Sequence, residues 1–225
     1  MKLEEVVPWG RNLQEYKEMF LLSNEELEFT ILSCADGPAS FNFEFTALGG
    51  KVTSIDPLYQ FSKEEIAQRV KETSKLVVQE LEANSEKFIW REFESVDALV
   101  ETRLSAMERF LKDYHRGKEQ QRYIYQELPK LSFKDKSFDI ILVSHFLFLY
   151  SQQLDLEFHI SSIEEMCRIA NREIRIFPLH DLENRVSSHL QAVLTFLEKS
   201  SKNYEIIETN YEFQKGVNRM LRIFC

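Results

Sequence analysis

The residues best suited to chemistry follow two predicted strands near the start of the chain. The first strand is an apolar run at 29–34 that leads into a turn of small residues around Gly37, and the second ends at Asp56. Small residues let a ligand approach the backbone closely, and the amides at the start of the next helix are unpaired. An acid about 20 residues after such a turn can accept both hydroxyls of a ribose. The spacing predicts a site for a nucleoside-containing ligand, and the alternative is an ordinary strand–helix turn with an acid at a strand end.

A strand–turn–helix–strand unit must position these residues. The segment 41–48 has the length of a short helix, the pair Gly49-Gly50 breaks it, and a β-branched run leads on to Asp56. Such a unit begins a parallel α/β sheet, and open sheets of this kind bind ligands outside the carboxyl ends of their strands. The dinucleotide motif G-x-G-x-x-G is missing, because Ala35 and Ala39 stand where glycines are needed. The turn therefore does not favour a ligand that contains a pyrophosphate. A nicotinamide dehydrogenase, which would need the missing glycines, is a distant alternative.

The same unit resembles motif one of the class I S-adenosylmethionine-dependent methyltransferases, acid-x-Gly-x-Gly-x-Gly. Only the middle glycine is retained, since the four motif positions here are Ser33, Ala35, Gly37 and Ala39. The resemblance implies that Asp56 binds the cofactor ribose and that Asp36 offers a carboxylate to its ammonium group. The cofactor contacts implied at these two strand ends are Cys34, Ala35, Asp36, Gly37, Asp56, Pro57 and Leu58.

A second stretch, about 70 residues after Asp56, is also similar to this family. The segments Leu131-Ser132-Phe133 and Ser137-Phe138-Asp139 resemble the run that leads into the family's fourth strand. The resemblance implies that Glu127 accepts the adenine amino group and that the Leu128 amide reaches a ring nitrogen.

The predicted fourth strand, 139–143, ends in Ser144 and His145, where the family places cofactor and substrate contacts. His145 is the candidate general base, needed only if the acceptor carries a proton. Tyr16 and Tyr150 are weaker candidates for the same role. The alternative for His145 is a histidine that only fills the strand end.

The N-terminal segment carries Trp9-Gly10-Arg11 before a stretch with apolar residues at helical spacing. One interpretation is a surface helix held by an aromatic residue. The other is a lid over the cofactor, with Arg11 reaching its carboxylate. The segment also resembles an uncharacterised bacterial branch of the methyltransferases.

Two amphipathic stretches separate the second and third predicted strands. The first helix begins at Ser62 with Glu65 completing a capping box, and the second has a stripe of apolar residues. That stripe is Val100, Leu104, Met107, Leu111 and Tyr114. Residues from about 62 to 118 are therefore predicted to form a helical insertion.

Later elements complete the predicted sheet. Strands are expected at 122–125, 173–177, 204–208 and 220–224, the last two as a closing hairpin. Helices are expected from a cap at Ser162 and over 186–197. Arg175 lies inside a predicted central strand, so we expect it to pair with a buried acid rather than to bind an anionic substrate, since burying it alone is very costly.

Composition narrows the function classes. The 225 residues carry 28 Lys plus Arg against 37 Asp plus Glu, a net charge of −9, which argues against a general nucleic-acid binder. The cysteines number three, an odd count, and none stand at CxxC spacing, which indicates a reduced, cytoplasmic protein; the five histidines form no metal motif. The first residues lack a signal-peptide core, and the most apolar run, 138–150, is too short to cross a bilayer.

Together these patterns predict a single α/β domain over 1–225. Its fold is a Rossmann-like seven-stranded methyltransferase sheet in a three-layer sandwich, with a helical insertion between strands 2 and 3. The resemblance implies an S-adenosylmethionine-dependent methyltransferase. The acidic charge favours a small molecule or a protein over nucleic acid as the acceptor, and we expect a small molecule. No membrane partner is expected. A catalytically inactive protein that binds the cofactor or a metabolite on the same fold is the alternative, because Ser33, Ala35 and Ala39 erode motif one. No pattern in the chain indicates an oligomeric state.

Overall fold

A seven-stranded sheet forms the centre of the protein in the computed structural model, which describes residues 9–90 and 93–225. Its strands are β1 (Thr30–Cys34), β2 (Lys51–Ile55), β3 (Tyr123–Ile124), β4 (Phe138–Ser144), β5 (Ala170–Phe177), β6 (Tyr204–Glu208) and β7 (Arg219–Phe224). The strand order is β3-β2-β1-β4-β5-β7-β6. The first five strands pair in parallel and β7 is antiparallel to both of its neighbours. The predicted strand set and closing hairpin are confirmed.

Six α-helices in the described ranges cover the sheet or extend from it. They are α1 (Leu13–Phe20), α2 (Phe41–Ala47), α3 (Lys63–Ala83), α4 (Val96–Glu119), α5 (Leu156–Ile169) and α6 (Leu190–Lys199). Each face of the sheet has its own apolar core: one with residues of α1 and α2, the other with residues of α5 and α6. The two cores confirm the three-layer arrangement.

The helical insertion lies where it was predicted, between β2 and β3. Helix α3 begins after Ser62, whose hydroxyl accepts the Glu65 N–H while the Glu65 carboxylate accepts the Ser62 N–H. The predicted stripe on α4 is wrong in part, because Leu104 is 36% exposed. The buried face of α4 is turned slightly from that stripe and includes Leu99, Arg103, Met107, Phe110 and Tyr114. A fully buried arginine on this face explains why the apolar spacing alone was misleading.

The predicted start of α5 at Ser162 is wrong. The N-cap of this helix is Asp155, whose carboxylate accepts the Phe158 N–H at 2.8 Å. Ser162 is buried inside the helix, since Leu156–Ile169 runs through this position without a break. The prediction therefore found the helix but placed its start too late.

The predicted start of α6 at 186 is also wrong, because this helix begins at Leu190. Val186 instead forms an isolated β-bridge with His180 and is 50% exposed. Val186 lies at a helical spacing from the apolar residues of α6. The predicted helix therefore included this residue, although it belongs to the β-bridge.

The buried Arg175 on β5 pairs with acids, as predicted. Its guanidinium forms ion pairs with Glu26 and Glu173, and its Nη1 donates to the Phe20 carbonyl oxygen at 2.7 Å. No helix in the described ranges is long and apolar enough to cross a membrane. The first residues, on which the signal-peptide prediction rests, lie outside the described part of the chain.

Candidate active site at the carboxyl edge of the sheet

A cavity of about 510 Å³ lies at the carboxyl ends of β1, β2 and β4. Its volume is within the range typical of small-molecule sites. The structure brings eleven of the predicted site residues into its wall: Arg11, Ala35, Asp36, Gly37, Asp56, Pro57, Leu58, Glu127, Leu128, Ser144 and His145. Tyr16 and Tyr150 also line it. Cys34 is not brought into the wall, because its side chain is completely buried in the core beside β4, and its cofactor contact stays a prediction.

The turn after β1 has left-handed backbone although alanine replaces two of the three motif glycines. Ala35 has φ 54° and Gly37 has φ 55°, both in the left-handed region that favours glycine. No atom would lie within 4 Å of a Cβ on Gly37, so the space above this residue is open. The Gly37 N–H donates to Asp56 Oδ2 at 2.9 Å, which joins the turn to the end of β2.

Asp56 sits at that strand end with its carboxylate in the cavity wall. Its Oδ1 accepts the Leu58 N–H at 2.7 Å, and Pro57 occupies the first position of the short helical turn that follows. Burial raises the pKa of Asp56 to about 6, against the opposing effect of the backbone hydrogen bonds from Leu58 and Gly37. Each carboxylate oxygen has two lone pairs, so Asp56 can still accept hydroxyl hydrogen bonds from a ligand.

Asp36 is held by three hydroxyl groups. Its Oδ1 accepts from Tyr16 and from Ser33, the latter at 2.6 Å, and its Oδ2 accepts from Ser54 at 2.5 Å. Burial raises the pKa of Asp36, and these hydrogen bonds oppose that rise. The carboxylate is thus fixed in place beside the cavity, and its contact with a cofactor ammonium group stays a prediction.

The N-terminal Trp9-Gly10-Arg11 segment lies directly against this turn. A Cβ on Gly10 would be 2.1 Å from the Pro38 carbonyl oxygen, so only glycine permits the approach. The Ser40 N–H then donates to the Arg11 carbonyl oxygen at 3.0 Å. Arg11 lines the cavity, and its Nη1 donates to the Trp9 carbonyl oxygen at 3.2 Å. Within 9–90 and 93–225, no carboxylate forms an ion pair with Arg11, and its buried Nε has no hydrogen-bond partner.

Sequence reasoning missed a buried polar group beside Arg11. Arg103 of α4 is 1% exposed and forms an ion pair with Glu15 of α1, and its Nη2 donates to the Tyr211 hydroxyl at 3.2 Å. Arg103 and Tyr211 both line the cavity. The available signal was the helical spacing of Arg103 from the apolar residues Leu99 and Met107, which places it on the buried face of α4.

His145 follows β4 with φ 52°, a conformation rare for a residue other than glycine. Its N–H donates to the Phe177 carbonyl oxygen at 2.6 Å, and its Nδ1 lies 3.1 Å from the Ser144 hydroxyl oxygen. Burial, with the nearby Arg11 and Arg103 guanidinium groups, holds the pKa of the imidazole well below its usual range. The ring is therefore neutral at physiological pH and can accept a proton, although its proton affinity is low.

The described residues contain no group of three or more side chains placed to hold a metal ion. The polar groups of the cavity include carboxylates at the strand ends and guanidinium groups from the N-terminal segment and α4. This set can bind hydroxyl, amino and carboxylate groups of an organic ligand.

The fold is that of the S-adenosylmethionine-dependent methyltransferases. Magnesium protoporphyrin IX methyltransferase from Synechocystis PCC 6803, crystallised with bound SAM, superposes with a TM-score of 0.50 at 12% identity, over 93% of this chain and 76% of that chain. The same enzyme with bound SAH gives a TM-score of 0.50 at 12% identity, over 93% and 80% of the two chains. Similarity at this identity defines the fold alone.

No family model matches the sequence. A protein of Methanocaldococcus jannaschii, the uncharacterized protein MJ0045, is 38% identical over 226 residues, which cover 99% of this chain and 98% of that protein. The chain therefore belongs to the same family as MJ0045. The link to a bacterial branch of the methyltransferases stays a prediction.

Proposed function

We propose that the protein is an S-adenosylmethionine-dependent methyltransferase that acts on a small molecule. The observation that carries this proposal is the convergence of Arg11, Asp56 and Glu127 on one cavity at the carboxyl edge of a methyltransferase-type sheet. These residues fit the cofactor by chemistry. Arg11, which has no ion-pair partner among the described residues, supplies a cation for its carboxylate. Asp56 supplies an acceptor for its ribose hydroxyls, and Glu127 an acceptor for its adenine amino group.

Arg11, Asp56 and Glu127 would hold the cofactor, which would supply a methyl group already activated for transfer to the acceptor. The protein's part is to bind and orient the reactants and to exclude water. His145 is the residue we assign to proton removal when the acceptor carries a proton. Its imidazole lines the cavity and is neutral at neutral pH, but its low pKa makes it a weak base, so it would act on a proton that becomes acidic as the acceptor atom gains the methyl group.

Calorimetric titration with S-adenosylhomocysteine tests the cofactor assignment. We expect micromolar binding by the wild type and a loss of about tenfold or more in Asp56→Ala, the effect of about 1.4 kcal/mol of binding free energy. Asp135→Ala is the matched control, because Asp135 is an exposed acid that precedes β4, at the edge of the sheet away from the cavity. This control variant should bind as tightly as the wild type. No binding by the wild type would refute the proposal.

Activity separates the enzyme from the alternative of a protein that binds the cofactor without catalysis. Conversion of S-adenosylmethionine to S-adenosylhomocysteine in the presence of a small-molecule extract would support the methyltransferase. Cofactor binding without turnover under any acceptor mixture would favour the binding protein, consistent with the eroded glycine positions Ala35 and Ala39.

A further inference from the structure

The cavity has a second part that the cofactor residues do not account for. Most of the side chains that line it there are aliphatic or aromatic, and they come from the helical insertion, the segment between β4 and β5 and the loop between β6 and β7. They include Val77, Leu81, Phe88, Leu149, Phe158 and Phe213. We call this set the apolar wall.

Main-chain hydrogen bonds connect the two segments that form one side of the apolar wall. The Ile89 N–H donates to the Phe213 carbonyl oxygen at 2.7 Å, and the Lys215 N–H donates to the Lys87 carbonyl oxygen at 3.1 Å. The rings of Phe88 and Phe213 stack with centroids 4.6 Å apart. The insertion and the β6–β7 loop are thus joined, which gives this part of the cavity a defined shape.

The charged side chains that line the cavity away from the strand ends are arginines. The described carboxylates that line the cavity, Asp36, Asp56 and Glu127, all follow strands of the sheet. Arg103 is paired with Glu15, and Arg11 is the cation that we assign to the cofactor carboxylate. With the cofactor bound, the cavity therefore has no lining carboxylate among the described residues, away from the strand ends, that could pair with a further cation.

We propose, on the basis of the proposed function, that the methyl acceptor is a mostly apolar small molecule that is uncharged or anionic at neutral pH. The apolar wall buries its carbon skeleton, which is favourable in proportion to the apolar area removed from water. An ammonium group at the apolar wall would be buried without a counter-charge, which is costly.

Three naphthalene probes of similar size test this inference by calorimetry on the protein saturated with S-adenosylhomocysteine: 2-naphthol, 2-naphthoate and the ammonium form of 2-naphthylmethylamine. We expect the neutral or the anionic probe to bind about tenfold or more tightly than the ammonium probe. Equal or tighter binding of the ammonium probe, or no binding of any probe, would overturn the inference.

A matched pair of variants tests whether the probe binds at the apolar wall. Leu81→Gln should weaken binding of the preferred probe about fivefold or more and leave the affinity for S-adenosylhomocysteine within about twofold. Leu48→Gln, at a residue 54% exposed on the surface, should change neither affinity. If the wild type does not bind S-adenosylhomocysteine, both the proposed function and the acceptor inference are wrong. If it binds but shows no probe preference, only the acceptor class is wrong.

Discussion

Removing the negative charge of Glu15 should destabilise the protein strongly, because Arg103 would then be a buried cation without a counter-charge. The two side chains are 6% and 1% exposed, so water cannot replace the lost partner. The Arg103 Nε already has no hydrogen-bond partner among the described residues, and Arg11 lies nearby. In Glu15→Gln only neutral acceptors would remain, including the Tyr211 hydroxyl.

The expected cost is about 3 to 5 kcal/mol of unfolding free energy, the usual effect of removing one partner of a buried ion pair. A neutral glutamine oxygen can still accept a hydrogen bond, which favours the lower end. Native domains unfold with about 5 to 15 kcal/mol, so the loss is a large share of the total stability.

Urea denaturation followed by circular dichroism measures this loss, with Arg103→Met and the double variant completing a cycle. We expect the double variant to be more stable than the sum of the single losses predicts, by about 2 kcal/mol, since it leaves no buried charge uncompensated. Additive losses, or a loss below about 1 kcal/mol in Glu15→Gln, would contradict the reasoning.

Three further predictions concern the cofactor and the base. Gly10→Ala should weaken S-adenosylhomocysteine binding about tenfold or more in calorimetry, because its methyl group would collide with the Pro38 carbonyl and displace Arg11. Binding by the wild type should weaken as the pH falls through about 6, where Asp56 becomes protonated and loses acceptor capacity, whereas Asp56→Asn should bind weakly at every pH. His145→Asn, which tolerates the positive φ, should lower turnover about tenfold or more with little change in cofactor affinity; an unchanged rate would exclude His145 as the base.

Much of the fold could be predicted because it depends on local patterns. The β-branched runs and the acid at Asp56 placed the strands, and the capping box at Ser62 placed the start of α3 correctly. The start of α5 was wrong because Ser162 and the acids after it resemble a cap, whereas the cap that forms is Asp155. A sequence pattern shows which residues can cap a helix, and tertiary packing decides which one does.

The candidate site was predicted less completely, because part of it depends on contacts between distant segments. Strand-end residues such as Asp56 follow from chain order, but the ion pair of Glu15 and Arg103 joins residues 88 positions apart. Tyr211 reaches the same place from the β6–β7 loop. No local spacing relates these three residues, so only the folded chain brings them together.

Local and distant contacts support the turn that carries the eroded glycine motif. Ala35 adopts the left-handed conformation at a cost of about 1 to 2 kcal/mol, which the surrounding turn must offset. Ser33, in place of the motif acid, donates to Asp36 and so helps to hold a carboxylate slightly later in the chain. Gly10 supplies a close approach from the N-terminal segment and brings Arg11 to the turn. The polar groups of the cavity therefore come from α1, α4 and the N-terminal segment as well as from the strand ends.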